Sequence, residues 1–403
     1  MARPAFAQNA APSVVIIGGG FGGSTCAREL RRLDSQLKVS LIESDRRYTA
    51  CPSSNAVIAG LRDFEAQEFD YDALVHGGID LHFATAIGVD STARRITLSD
   101  GSTVSYDRLV LAPGIDIRWG ALPGYTEQAA DRMPHAWKAG SQTILLRRQL
   151  EAMKDGGLVV MSVPANPIRC PTAAYERASL IAYYLKTSKP KSKLIVLDAK
   201  DSFSMQRLFQ AAWRELYPGL LEWLALSEDG RVASVEPETN TFVTDFDRHR
   251  ADVANVIPPQ QAGRIATLAG VADRTGWCPI DPVTFESRLQ PSMHVIGDAA
   301  TTGAMAKSAF AAHGQAKVCA NAIVALLRGE RPPSPKLINT CYSLVAPDYA
   351  ISVAGVYAPV DGQLVDVEGA GGASPLEASA DFRAREAAYA EAWFRTITRD
   401  VFG

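Results

Sequence analysis

The sequence predicts an α/β molecule, two Rossmann-like domains followed by an α+β C-terminal interface domain. Three observations carry that expectation. The β-branched apolar run Ser13-Val14-Val15-Ile16-Ile17 enters a glycine turn and then a stretch with helical spacing. Two later apolar runs, residues 106–111 and 294–296, each end in a tight turn containing glycine. A separate run, Leu158-Val159-Val160-Met161-Ser162-Val163, repeats the strand pattern in the middle of the chain. Near-continuous apolar runs of this length are what parallel strands covered on both faces require.

The first run leads into Gly18-Gly19-Gly20-Phe21-Gly22-Gly23, which contains GxGxxG at Gly18, Gly20 and Gly23. A helix is expected over residues 24–33, then a second strand, Lys38-Val39-Ser40-Leu41-Ile42, closed by Glu43. Glu43 stands 20 positions after Gly23, where the dinucleotide fingerprint places the ligand of a ribose hydroxyl. Each glycine has a physical task. Gly18 permits the tight turn, Gly20 lets backbone approach a pyrophosphate, and Gly23 lets helix and strand pack closely. The helix N-terminus adds free N–H groups and a partial positive charge for phosphate.

Two further signals favour FAD over NAD. Tyr106-Asp107-Arg108-Leu109-Val110-Leu111-Ala112-Pro113-Gly114 resembles the ATG-type motif of flavoproteins with two dinucleotide-binding domains, which puts Ala112 and Gly114 at the cofactor. His294-Val295-Ile296-Gly297-Asp298-Ala299 is similar to their GD motif, whose Asp accepts hydrogen bonds from the ribityl chain; this marks Gly297 and Asp298. The middle strand lacks such a turn. It is followed by Pro164-Ala165-Asn166-Pro167, and proline stands where glycine is needed for backbone to approach a pyrophosphate. The middle domain is therefore expected to keep the architecture without a nicotinamide site.

Composition narrows the class. With 403 residues, 47% hydrophobic, 21% charged and a net charge of −3, the chain lacks the basic excess of a nucleic-acid binder. No run is read as the ~18–20 apolar residues of a bilayer span, so no membrane insertion is expected. Ala5-Phe6-Ala7 is an A-x-A-like cleavage pattern, which leads to the expectation of an exported, periplasmic protein with a signal peptide. There disulfides persist. The six cysteines, Cys26, Cys51, Cys170, Cys278, Cys319 and Cys341, include no CxxC, so no metal site is expected, and no CxxCH, so any haem belongs to another subunit.

From Val14 to Phe402-Gly403 the chain resembles the flavoprotein subunit of flavocytochrome c sulfide dehydrogenase, a flavoprotein of the glutathione-reductase type related to sulfide:quinone reductases. The irregular strings carry the resemblance: Arg169-Cys170-Pro171, Tyr175-Glu176-Arg177-Ala178-Ser179, Ile257-Pro258-Pro259-Gln260, Gly276-Trp277-Cys278-Pro279, Asn339-Thr340-Cys341-Tyr342-Ser343 and Asp348-Tyr349-Ala350-Ile351-Ser352-Val353-Ala354. It implies that Cys170 and Cys341 form a redox-active disulfide beside the flavin. A disulfide sulfur is an electrophile for hydrosulfide, giving a persulfide and a thiolate that can reduce flavin. A structural disulfide, which over so long a loop contributes about 4–5 kcal/mol, and two free thiols are the alternatives. Glu176, six residues after Cys170, is the candidate to exchange a proton with hydrosulfide, or else a helix-surface carboxylate paired with Arg177 or Arg169. The resemblance further implies covalent FAD through Cys51, with a loop thiol lining the pocket as the alternative. Cys51 lies eight residues past Glu43, a reach of up to roughly 26–29 Å. Cys26, Cys278 and Cys319 read as core or turn residues.

The expected organisation is a discontinuous FAD domain over 13–125 and 257–330, a second Rossmann-like domain over 126–256, and an interface domain over 331–403. Short strands at 351–357 and 363–367 and a helix over 378–399 are expected in the last. There Tyr389, Trp393 and Ile397 recur at i, i+4, i+8 as an apolar stripe. With no C-terminal amphipathic membrane anchor evident, the expected acceptor is a c-type cytochrome, with Trp393 near the flavin or else a packed core residue. The function so implied is sulfide oxidation with electrons passed to a cytochrome subunit. The alternatives are a peripheral sulfide:quinone reductase and a non-enzymatic flavoprotein partner of a sulfur-oxidation protein.

Overall fold

The computed structural model describes residues 11–403, so the cleavage pattern at Ala5-Phe6-Ala7 lies outside the described residues. The chain opens with β1 (Ser13–Ile17), α1 (Phe21–Leu33) and β2 (Lys38–Glu43). It continues through a short helix α2 (Ser54–Ile58) to β3 (Asp80–Phe83) and β4 (Arg108–Leu111). Helix α1 begins three residues before the expected start, because Gly22 and Gly23 already belong to its first turn. A Cβ on Gly23 would lie 1.8 Å from the Gly18 carbonyl oxygen, so only glycine lets the helix close down on the turn.

A second parallel sheet follows. It contains β5 (Leu158–Val163), β6 (Lys193–Asp198), β7 (Leu221–Leu224) and β8 (Val253–Val256) in spatial order β7-β6-β5-β8, with helix α3 (Ala173–Ser188) crossing between β5 and β6. The chain then returns as β9 (Met293–Val295), which completes the first sheet in the order β9-β4-β1-β2-β3, all parallel. Val14, Val15 and Ile16 at the centre of that sheet are essentially inaccessible to water.

Helix α4 (Ala309–Leu327) packs on α1. It corrects the reading that no run reaches bilayer length, since by length and composition alone it is apolar enough to cross a membrane. Its apolar character serves the core: Ala311, Ala316, Cys319, Ala320 and Ile323 are fully buried, and Cys26 of α1 is buried in the same core.

The C-terminal region is an antiparallel sheet of β10 (Leu337–Ala346), β11 (Tyr349–Val360) and β12 (Gln363–Asp366), covered in part by α5 (Ala380–Phe402). Strand β10 was not among the expected strands. Its inward face carries Asn339 and Ser343 beside Leu337 and Val345, so the polar and apolar positions do not alternate cleanly. The expected stripe on α5 is also corrected. Tyr389 is 56% exposed, whereas Phe394, Ile397, Thr398, Val401 and Phe402 are buried. Four-residue steps advance 400° against 3.6 residues per turn, so a strict i, i+4, i+8 stripe winds off the docking face. Arg383 and Glu386, both buried, take up positions on that face that an apolar stripe would fill.

Candidate functional site

One cavity of about 870 Å³ runs between these layers. It is lined by Gly18, Gly20, Glu43, Cys51, Ala112, Gly114, Cys170, Glu176, Gly297, Asp298 and Cys341. Of the residues marked in the sequence only Gly23 is not on its wall; it sits behind, where α1 meets the turn.

The glycine turn is shaped for close approach. Gly18 has φ +101, and a Cβ there would stand 2.4 Å from the Ala112 oxygen. Gly114 (φ +64) and Gly297 (φ +71) also occupy the left-handed region that glycine tolerates. Glu43, at the end of β2, accepts from Gly19 N–H at 2.6 Å and from Ser44 N–H at 2.7 Å, which fixes its carboxylate beside the turn. Asp298 faces the cavity with Oδ1 buried and without a hydrogen-bond partner. Burial raises its proton affinity, and Arg169, 3.9 Å away, opposes that. Trp137 Nε1, also on the cavity wall, is likewise buried without a partner. A glycine cradle at one end and orphaned polar groups along the wall fit a dinucleotide such as FAD.

The middle domain offers no second such place. Asp198 ends β6 as Glu43 ends β2, but its carboxylate is fully buried and taken: Tyr175 Oη donates at 2.6 Å, Trp223 Nε1 at 3.0 Å and Lys200 Nζ at 2.6 Å. Phe203 stacks on Tyr175 at 3.5 Å between ring centroids. Aromatic side chains thus cover the carboxylate that would otherwise face a ribose.

The chemistry-bearing groups arrive on three separate elements. Cys170 precedes α3 and has φ +48, a left-handed conformation that is strained for a residue with a Cβ. Its N–H donates to the Lys307 carbonyl at 2.7 Å. Cys341 comes from β10, and its sulfur accepts from Asn339 Nδ2 at 3.4 Å. Asn339 is itself oriented by Ser308, whose hydroxyl donates at 2.7 Å. Both sulfurs are free in this structure. Burial pushes both thiols up; Cys341 and then Glu176 push Cys170 further, and Arg169 opposes them.

Glu176 lies in the first turn of α3 and is no surface carboxylate. One oxygen accepts from Leu344 N–H of β10 at 2.9 Å, the other from Asn55 Nδ2 of α2 at 2.7 Å. Burial raises its pKa; these two hydrogen bonds and the Arg177 charge pull it back. Neither Arg177 nor Arg169 pairs with it. Arg169 instead donates to the Trp137 carbonyl, and its guanidinium lies 5.8 Å from the Trp137 ring centre. Cys51 accepts from Ala139 N–H at 3.4 Å, against the segment that carries Trp137. Trp393 lines the cavity too, stacked with Phe310 at 6.3 Å and beside Tyr342 at 6.4 Å.

Sequence reasoning missed Asn55, Trp137 and Lys307. Asn55 carried a signal, four residues after Cys51 in an irregular polar run; Trp137 lies in a long connection with no pattern that singles it out.

Comparison with known proteins gives concordant results. Residues 143–258 match the model for the central region of the sulfide dehydrogenase [flavocytochrome c] flavoprotein chain. Residues 333–402 match the flavocytochrome c sulphide dehydrogenase flavin-binding model, and residues 12–143 the pyridine nucleotide-disulphide oxidoreductase model. The chain is 50% identical over 44 residues to the sulfide dehydrogenase [flavocytochrome c] flavoprotein chain of Chlorobaculum thiosulfatiphilum, covering 11% of this chain and 92% of that sequence. It is 22% identical over 341 residues to a mitochondrial sulfide:quinone oxidoreductase of Mus musculus, covering 79% of this chain and 72% of that one. The structure of the sulfide:quinone oxidoreductase from Aquifex aeolicus superposes with a TM-score of 0.75 at 18% identity, over 97% of this chain and 92% of the other, a likeness of fold.

Proposed function

The chain belongs to the family of flavocytochrome c sulfide dehydrogenase flavoprotein chains, and from that premise we propose that it oxidises hydrosulfide through Cys170 and Cys341 and hands the electrons to a c-type cytochrome. The observation that carries this reading is that Cys170 and Glu176, six residues apart at the start of α3, meet Cys341, 171 residues further along from Cys170, on the cavity that fits FAD.

In the oxidised state the two sulfurs are bonded to each other. Hydrosulfide attacks one of them, the S–S bond breaks, and a persulfide and a thiolate result. Loss of two electrons from this persulfide–thiolate pair re-forms the disulfide and releases zero-valent sulfur and a proton. FAD, when bound, supplies the two-electron acceptor that can release electrons singly. Glu176 accepts the proton given up by hydrosulfide; its enclosed position raises its proton affinity above that of a solvent-exposed carboxylate. Arg169 steadies negative charge on Cys170. With FAD bound, Gly18 and Gly20 would hold the pyrophosphate, Glu43 the ribose, and Asp298 the ribityl hydroxyls. Cys51, a free thiol on the cavity wall, would tether the flavin. The protein works in the periplasm, where a disulfide of this kind survives.

The resemblance over most of the chain to a sulfide:quinone oxidoreductase favours a second reading, with quinone in place of the cytochrome. Steady-state assays with sulfide separate the two. Cytochrome c reduction that is much faster than reduction of a soluble quinone supports the first, and the reverse ordering overturns it.

A further inference from the structure

Glu176 and Arg177 are sequence neighbours on α3, yet they do not pair. The Arg177 guanidinium, 2% exposed, donates to the carbonyls of His135 and Ala136 and to the side-chain oxygens of Asn55 and Asn255. None of those four acceptors is a carboxylate. Asn55 stands between the two charges: Arg177 Nε donates to Asn55 Oδ1 at 3.0 Å, and Asn55 Nδ2 donates to Glu176 at 2.7 Å.

That chain has only one direction. A guanidinium can donate but never accept, so it claims the oxygen of the amide. The NH₂ is left facing the carboxylate, where an N–H can only favour the ionised form. The second Asn55 hydrogen goes to the Ala173 carbonyl at 3.1 Å, which anchors the amide to the start of α3. The groups that bear on Glu176 come from every element around it. They are Cys170 from the loop before α3, Cys341 and the Leu344 N–H from β10, Arg177 from its own helix, and Asn55 from α2.

We propose that Asn55 is a positioning residue: locked one way round by Arg177, it holds Glu176 as a carboxylate ready to take the proton of hydrosulfide. The proposal rests on the reading of Glu176 as the proton acceptor. It also makes α2, the helix that follows Cys51, part of the machinery that sets protonation beside the two cysteines.

The test uses the FAD-loaded protein and two readouts. Infrared pH titration follows the carboxyl band that is lost in Glu176→Gln; stopped-flow follows flavin reduction by sulfide against pH. In Asn55→Ser the infrared midpoint is expected to rise by about one to two pH units, the size of one lost charge-assisted hydrogen bond. The ascending limb of the rate profile moves with it. Asn55→Asp keeps an acceptor for Arg177, so it guards against loss of folding, and it sets a second acidic group against Glu176, again raising the midpoint. An unchanged midpoint in both folded variants overturns the proposal. A raised midpoint with an unmoved rate profile upholds the clamp and overturns Glu176 as the proton acceptor.

Discussion

Serine is close to cysteine in size but cannot form an S–S bond, so it separates chemistry from packing at Cys170 and Cys341. Under the proposed function either serine variant should reduce flavin with sulfide at below about one-hundredth of the wild-type rate, a loss above ~2.7 kcal/mol in barrier, while dithionite still reduces it. Retained sulfide turnover in the folded fraction would assign the pair a structural role. At Cys51 the expected outcome is that flavin co-precipitates with wild-type protein in acid, whereas Cys51→Ser releases it to the supernatant. A yellow wild-type supernatant rules the tether out. His135 gives a pH prediction. Burial and then the Arg177 charge lower its pKa to about 3, against ~6.5 when unfolded. The unfolded chain therefore takes up a proton first as pH falls. Stability is fully present above ~6.5 and is lost progressively toward pH 3, by up to roughly 4–5 kcal/mol. Urea midpoints between pH 7 and pH 4 should fall less steeply in His135→Asn than in the wild type.

At the scale of elements, the sequence was most legible where one physical rule acts alone. Ser13–Ile17 and Leu158–Val163 are inner strands of the two parallel sheets, and continuous apolar runs mark them without ambiguity. Strand β10 was illegible because Asn339 and Ser343 face inward, Asn339 to donate to the Cys341 sulfur, so two polar positions interrupt the alternation that would have announced a strand. The docking face of α5 was misread for a related reason: buried Arg383 and Glu386 pair with each other at 3.4 Å, and a buried ion pair looks like a solvated face in sequence. The proline-bearing turn after β5 and the aromatic cover over Asp198 make one prediction. NADH and NADPH at stoichiometric amounts should leave the flavin oxidised while sulfide bleaches it; rapid bleaching by NADH would refute the account of the middle domain. Phe402 makes another. It packs on Tyr48 at 5.1 Å, Phe69 at 5.2 Å and Phe21 at 5.6 Å, directly behind the glycine turn. Phe402→Ala should cost about 3–5 kcal/mol in chemical denaturation and loosen flavin retention in any variant that lacks the Cys51 tether.

For the whole molecule, the cavity is the product of topology. Its wall is drawn from the turn after β1, the loop after β2, the segment around Trp137, the start of α3, the turn after β9 and strand β10. Local patterns gave the glycine and acidic positions, since each is tied to a strand end. The meeting of Cys170 with Cys341, 171 residues apart, could not be derived from spacing. It was reached through the likeness of irregular strings to a known family. Asn55 and Trp137 owe their importance to neighbours that no local rule supplies.

The ring cluster around Phe402 has a further consequence for how the protein is made. Phe21, at the head of α1, emerges from the ribosome several hundred residues before the aromatic side chain that covers it. Until then the glycine turn has lost part of its backing, and β9, with Asp298, has only recently joined the first sheet. A nascent chain can therefore build its individual sheets early but not a finished cofactor pocket. Flavin uptake is expected only after β10 and α5 have been added, because Cys341 and Trp393 line the cavity and Phe402 backs it; a product truncated before β10 should stay colourless.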